Sequence, residues 1–219
     1  RPHARRTIVS GNPVREEFLR ADRKASRERL GVPADAFVLF VVGGSRGART
    51  LNRAVMDSAG RLAALDVAVI AQTGADDEGD VREALNGSRA LVRAFFDDVA
   101  DCYAAADLVV ARAGATTIAE IEAAGRPSVL VPYPYATEDH QTKNALAMEE
   151  AGAAVLVPDS EMTGERLIAL VGELKSERAR LTRMSDRARS LARPDAADRV
   201  ARAVLAAAGG EGAGKGRQA

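Results

Sequence analysis

Short, nearly continuous apolar runs rich in β-branched residues recur along the chain at residues 7–9, 37–42, 67–71, 91–94, 108–111, 128–131 and 153–157. A strand with one wet face alternates apolar and polar positions. These runs do not alternate, so each predicts a strand buried on both faces. Between them lie longer Ala-, Arg- and Glu-rich stretches of helical spacing, at 51–65, 76–85, 98–106, 117–124, 141–151 and 164–174. Strand and helix in strict alternation imply βαβ units with right-handed crossovers, hence an α/β fold with a parallel sheet and helices on both faces. After Leu174 the pattern turns to helix alone, over 177–192 and 195–207, and Pro194 followed by Asp195 separates the two.

Residues 1–10 read as a linker, 11–207 as one domain, and the Gly-rich, polar residues 208–219 as a disordered tail with no apolar face to bury. The 219 residues are enough for a substantial core without staples. Charge narrows the function: 31 Lys plus Arg balance 31 Asp plus Glu, which argues against a nucleic-acid partner. A lone Cys102 cannot make an internal disulfide, so a reducing, cytoplasmic compartment is expected. The longest apolar stretches fall well short of the roughly 20 residues that a bilayer core demands. No signal-peptide pattern is visible, and a start on Arg1 suggests a piece of a longer protein cut near a linker.

An open parallel sheet binds its ligand at the carboxyl ends of its strands, where the strand order reverses. Three loops in those positions carry unusual residues. VVGGSRGA, residues 41–48, runs from strand through Gly43, Gly44 and Gly47 into a helix, where free amides and the helix dipole favour an anion. Ser45 offers a hydroxyl there, and Arg46 or Arg49 a charge; the alternative is a plain tight turn. ARAGATTIAE, residues 111–120, repeats the pattern, with Gly114 and Ala115 in the turn, Thr116 or Thr117 able to cap the helix, and Glu120 one turn in. Two readings of Glu120 stand open: a carboxylate accepting from a ribose diol, or a capping-box residue reaching back to its own helix start. VPYPYATEDHQTKNA, residues 131–145, places His140 and Gln141 at a helix start, side chains suited to sugar hydroxyls. AFFDDV sets Phe95 and Phe96 at a strand end, where an aromatic and its backbone could hold a nucleobase. Asp97 and Asp98 are first-turn anions rather than a metal site, because no further ligands accompany them. The Arg-rich stretch 178–193 carries Leu181, Met184, Ala188 and Leu191 on one stripe, an ordinary docked helix in preference to a membrane-surface one.

Taken together and in order, GNPVR at 11–15, VVGGSRGA, FFDD, ADLVVARAGATTIAEI and DHQTKNA resemble the C-terminal half of the MurG glycosyltransferases over nearly the whole chain. Those enzymes move N-acetylglucosamine from UDP-GlcNAc to lipid I, giving lipid II in peptidoglycan assembly. The resemblance implies a Rossmann-like half of a GT-B enzyme, in which the active site lies between two such domains and this chain supplies the donor side. Position by position, it implies that Glu120 binds the ribose and that Gly114, Ala115, Thr116 and Thr117 face the diphosphate. Ser45 would contact phosphate from the other loop, and Phe96 would hold uracil through its main chain. Gln141, with His140, would bind GlcNAc hydroxyls, and Arg15 and Asn144 would line the same cleft. No catalytic residue is placed on this half, and no cofactor or metal is expected: an inverting displacement would have its leaving-group charge met by amides and helix dipoles. The implied partners are UDP-GlcNAc, an N-terminal acceptor domain and, through it, lipid I, at the inner face of the cell membrane. Three other readings stand beside it: a donor subunit of another two-part lipid glycosyltransferase; a UDP-GlcNAc 2-epimerase-like enzyme, which shares the architecture and ligand but needs catalytic carboxylates that these motifs do not place; and a non-catalytic nucleotide-sugar-binding module.

Overall fold

The computed structural model describes residues 7–44 and 47–211. Six parallel strands form one sheet: β1 (Phe37–Val42), β2 (Val67–Gln72), β3 (Ala90–Arg93), β4 (Leu108–Ala111), β5 (Ser128–Leu130) and β6 (Ala154–Leu156). Their order is β3-β2-β1-β4-β5-β6. The chain winds outward from β1 in one direction and from β4 in the other, so the switch point lies between these two strands. Helices α1 (Glu17–Arg20) and α2 (Arg23–Leu30) precede the sheet, and α3 (Arg49–Ala64), α4 (Glu78–Ala84), α5 (Val99–Ala105), α6 (Ala115–Ala124) and α7 (His140–Glu150) connect its strands. Then come α8 (Gly164–Ser176), α9 (Arg178–Leu191) and α10 (Ala196–Glu211).

β1 shows why the strand runs are continuous in hydrophobicity. Its six residues are all buried. Phe37, Leu39 and Val41 join one apolar layer, with Leu51, Val55 and Leu62 of α3 and Leu167 and Leu170 of α8. Val38, Phe40 and Val42 join the other, with Tyr103 of α5, Ile121 of α6 and Met148 of α7. Strand side chains point alternately to the two faces, so a central strand with helices on both sides has no polar position to spare. In the second layer Tyr103 packs against Phe18, ring centroids 5.5 Å apart, and edge-on against Phe40 at 5.1 Å.

The expected strand at 7–9 does not form: those residues are irregular, with Ile8 47% and Val9 75% exposed. A short β-branched run such as Thr7, Ile8 and Val9 becomes a strand only beside a partner, and the sheet closes on β3 and β6 without it. Helix α2 was not expected, although its ends carry ordinary signals: Asp22 accepts from the Ala25 amide, and Gly31 closes the helix at φ 66°. What holds α2 down is the buried Arg27, which donates to the Ala34, Ala36 and Ala105 carbonyls and pairs with Asp107 at 2.9 Å. At the other end, α10 continues to Glu211, beyond Ala207 where the sequence pattern closes it. Residues 212–219 of the expected tail lie outside the described residues. Among the described residues no helix is long and apolar enough to cross a membrane.

Candidate functional site

The carboxyl ends of β1 and β4 face one cleft of about 590 Å³. On the β1 side the turn is tight: a Cβ on Gly43 would lie 2.3 Å from the Ala48 amide nitrogen. Gly47, at φ 71°, would put a Cβ 1.9 Å from the Thr73 carbonyl oxygen at the end of β2. Only glycine fits there. Asn52 fastens the same corner from α3, donating to the Thr73 carbonyl at 2.9 Å and to Asp77 at 2.7 Å. Ser45 and Arg46 lie outside the described residues.

On the β4 side Gly114 is the N-cap of α6. The N-cap residues of α3 and α6 make no side-chain bond to the first turn, a state they share with α1, α4, α5, α7 and α9, while α2 and α8 are capped by Asp22 and Thr163. Among the described residues nothing accepts from the first-turn amides of these two helices at the cleft, an arrangement suited to an anion. Thr117 lines the cleft. Thr116 accepts instead from Asn12 at 3.4 Å, and Ala115 lines a neighbouring recess together with Asn144. The expected threonine cap is absent.

Glu120 resolves its two readings against the capping box. With Gly114 as N-cap, Glu120 sits too deep in α6 to reach back, and its Oε2 accepts from the buried phenol of Tyr103 at 3.0 Å. Burial raises its pKa above the usual carboxylate range, against the downward pull of the Tyr103 hydrogen bond and the Arg15 charge. Arg15 itself is exposed, its guanidinium 5.5 Å from the Phe18 ring, and lines a separate recess with Arg20 and Asp98.

Phe96 corrects one expectation. Its side chain is 2% exposed and belongs to the core, so it cannot stack on a base. Its backbone N–H donates to Gln72 Oε1 at 3.2 Å, and the aromatic ring left open at that turn is Phe95, 56% exposed. Gln72, at the end of β2 and almost fully buried, also approaches the Gly44 carbonyl at 3.5 Å. A single amide thus joins the β1 loop to the turn after β3.

In the loop after β5, Gln141 lines the cleft and accepts from the Tyr133 amide at 3.0 Å. His140 opens α7, exposed, with Nδ1 at 2.7 Å from the Thr137 carbonyl, and α7 is preceded by Glu138 and Asp139 at φ 54° and 53°. Asn144 donates to the Ala113 carbonyl at 2.9 Å, tying α7 to the β4–α6 turn. The cleft therefore gathers Gly114, Thr117 and Gln141 with Gly43, Gly44 and Gly47, while Arg15, Ala115, Thr116, Phe96 and Asn144 lie around it or support it.

The sequence reading gave no role to Arg112, Asp159 or Thr50, which meet in the cleft. Arg112 forms an ion pair with Asp159, donates to the Val131 carbonyl at 3.1 Å, and lies 5.6 Å from the Tyr133 ring centroid. Asp159 also accepts from Thr50 of α3 at 3.1 Å. Arg112 and Asp159 both follow strand ends, the positions where a parallel sheet gathers ligand contacts, but they are 47 residues apart in sequence and only topology brings them together. Among the described residues no three His, Cys, Asp or Glu side chains come together in a way that could hold a metal.

Comparison with known proteins places the chain in a family. Residues 38–200 match the family model of the glycosyltransferase family 28 C-terminal domain. The chain is 44% identical over 200 residues to the UDP-N-acetylglucosamine–N-acetylmuramyl-(pentapeptide) pyrophosphoryl-undecaprenol N-acetylglucosamine transferase of Solibacter usitatus, covering 90% of this chain and 53% of that one. With the protein of the same name from Nitratidesulfovibrio vulgaris it shares 46% identity over 198 residues, 89% of this chain and 53% of the relative. The crystal structure of Acinetobacter baumannii MurG superposes with a TM-score of 0.70 at 33% identity, over 84% of this chain and 53% of that one. The chain spans about half the length of the curated relatives it matches.

Proposed function

Because the chain belongs to the glycosyltransferase family 28 C-terminal domain family, we propose that it binds UDP-GlcNAc in the cleft between its β1 and β4 loops. In this reading it is the donor side of an enzyme transferring GlcNAc to the MurNAc of lipid I. The observation that carries the proposal is the convergence of two helix N-termini without side-chain caps on one cleft, with Gln141 on its wall.

In this reading the diphosphate lies between Gly43, Gly44 and Gly47 on one side and Gly114 and Thr117 on the other, met by amides and two helix dipoles. Glu120, steadied by Tyr103, accepts from the ribose diol, and the backbone after β3 holds the uracil. Gln141 and His140 select the sugar, and Arg15 and Asn144 border the site. Transfer is an inverting displacement: the acceptor hydroxyl attacks the anomeric carbon as UDP leaves, its negative charge met by fixed dipoles without a metal. The acceptor side is an N-terminal domain of the kind that the longer relatives carry, working at the inner membrane face, so the 219-residue chain binds donor without turning it over.

Calorimetry tests the reading. UDP-GlcNAc is expected to bind the purified chain, with affinity falling about tenfold or more in Glu120→Ala and in Gln141→Ala. No heat of binding for either UDP or UDP-GlcNAc overturns it. Transfer of GlcNAc to a lipid I analogue by the chain alone overturns the narrower statement that donor binding and turnover are separable.

A further inference from the structure

At the opposite end of the sheet, where β4 and β5 begin, the structure assigns a second anion site: a recess of about 210 Å³ that takes a phosphate-class oxyanion between Arg23, Arg126 and Arg178. The recess lies between the start of α2, the turns leading into β4 and β5, and the first turns of α9, and is lined by three guanidinium groups and one carboxylate, Asp107.

That carboxylate is already committed. Asp107 Oδ1 accepts from Arg23 at 2.7 Å, and Oδ2 accepts from Arg27 at 2.9 Å and from the Val38 amide at 2.8 Å. Arg178 reaches it only at 3.9 Å. Arg126 has no acidic partner among the described residues: one terminal nitrogen donates to the Ala106 carbonyl at 3.2 Å, and its Nε is buried with no hydrogen-bond partner. A buried donor left unmade is costly, and crowding a half-buried cation with like charges adds to that cost. Burial and the charges of Arg23, Arg189 and Arg27 push the Arg126 pKa down to about 10 against the pull of Asp107. The fold thus concentrates like charge around a partly open space.

Geometry favours an oxyanion over other occupants. The first turns of α9 border the recess through Arg178, Leu181, Thr182 and Ser185, so the positive end of that helix adds to the guanidiniums. Arg23, Arg126 and Arg178 line one space, and planar N–H donors of that kind match an oxygen-rich anion. The donor cleft opens at the carboxyl ends of the same strands, so the two sites are separate.

The test is thermal unfolding of the chain in sodium phosphate against sodium chloride of matched ionic strength. A saturable rise in Tm specific to phosphate is expected. Arg178→Ala, which alters a largely exposed side chain, is expected to weaken the half-saturating concentration about tenfold. Thr182→Glu, which places a carboxylate at the rim, is expected to raise the starting Tm and remove the response. Phosphate in the donor cleft is blind to both changes, so a response whose size and midpoint neither change alters overturns the proposal, as does no response at all. Flotation with phosphatidylglycerol against phosphatidylcholine vesicles identifies the source. Arg178-dependent flotation assigns a lipid headgroup, and a phosphate response without flotation assigns a free oxyanion.

Discussion

The phenol of Tyr103 donates to Oε2 of Glu120 at 3.0 Å, joining the aromatic core beneath β1 to the second turn of the helix that borders the cleft. Tyr103 is fully buried and Glu120 partly so; burial raises the carboxyl pKa, and the phenol opposes that rise. Tyr103→Phe keeps the ring and removes the donor. On the proposed reading a ribose diol needs the ionised carboxylate, so UDP affinity is expected to fall as pH drops through the Glu120 pKa, and in Tyr103→Phe that fall is expected at higher pH. At pH 7 the variant is expected to bind UDP about three- to tenfold more weakly. Calorimetry between pH 5 and 8 checks both statements, and superimposable profiles for the two proteins disprove the coupling.

Gly47 and Gly44 separate steric from conformational demand in one loop. Both have positive φ, 71° and 85°, but a Cβ on Gly44 meets nothing within 4 Å while one on Gly47 strikes the Thr73 carbonyl at 1.9 Å. Gly44→Ala is expected to cost about 1 kcal/mol of stability through the left-handed backbone alone. Gly47→Ala adds a clash with fixed backbone and is expected to cost about 2–4 kcal/mol and to abolish donor binding. Urea denaturation of the two variants ranks them; equal losses contradict the packing of the loop against β2.

Cys102 is fully buried, and burial, reinforced by the charge of Asp101, pushes its thiol up to about 12. The thiolate is the reactive form, so native protein is expected to resist a thiol-specific reagent at pH 8 on the timescale of minutes and to react stoichiometrically in denaturant. Labelling at equal rates in both conditions excludes a tightly closed second apolar layer.

These relationships show where the sequence was legible. Buried strands such as β1 declare themselves because a two-faced core leaves no polar position, and the glycine loops because close backbone approach admits no side chain. Residues 7–9 misled for the reverse reason: apolar content permits a strand, but pairing decides it, and no sheet edge reaches them. Thr116 and Thr117 suit a cap by residue type, but the N-cap of α6 is Gly114, two residues ahead of Thr116, so both threonines fall inside the first turn. Tyr103 with Glu120 and Arg112 with Asp159 are long-range pairs that only the 3-2-1-4-5-6 order brings together, so no local spacing announces them.

Glu122, two residues beyond Glu120 on α6, gives the pH dependence of stability a definite sign. It lines the recess shared by Asn12, Asn144 and Arg193, and burial lifts its pKa to about 7 in spite of the Arg193 charge. An acid whose folded pKa exceeds its unfolded one binds more protons in the native state between the two values. Its contribution is therefore fully present below the ordinary glutamate range and is lost as pH climbs through about 7. Asp101, held low by Arg29, works in the opposite sense at lower pH, so the wild-type profile alone mixes the two. Glu122→Gln isolates the term: glutamine imitates the protonated acid and never ionises. The variant is expected to match wild type near pH 5 and to exceed it at pH 8 by about 1 kcal/mol, a figure reduced for the solvent that still reaches the carboxyl. In a domain of this size that is a rise in Tm of about 2–4 °C at pH 8. A difference between the two proteins that stays constant from pH 5 to pH 8 would show that Glu122 titrates in its ordinary range and that the recess is open to water.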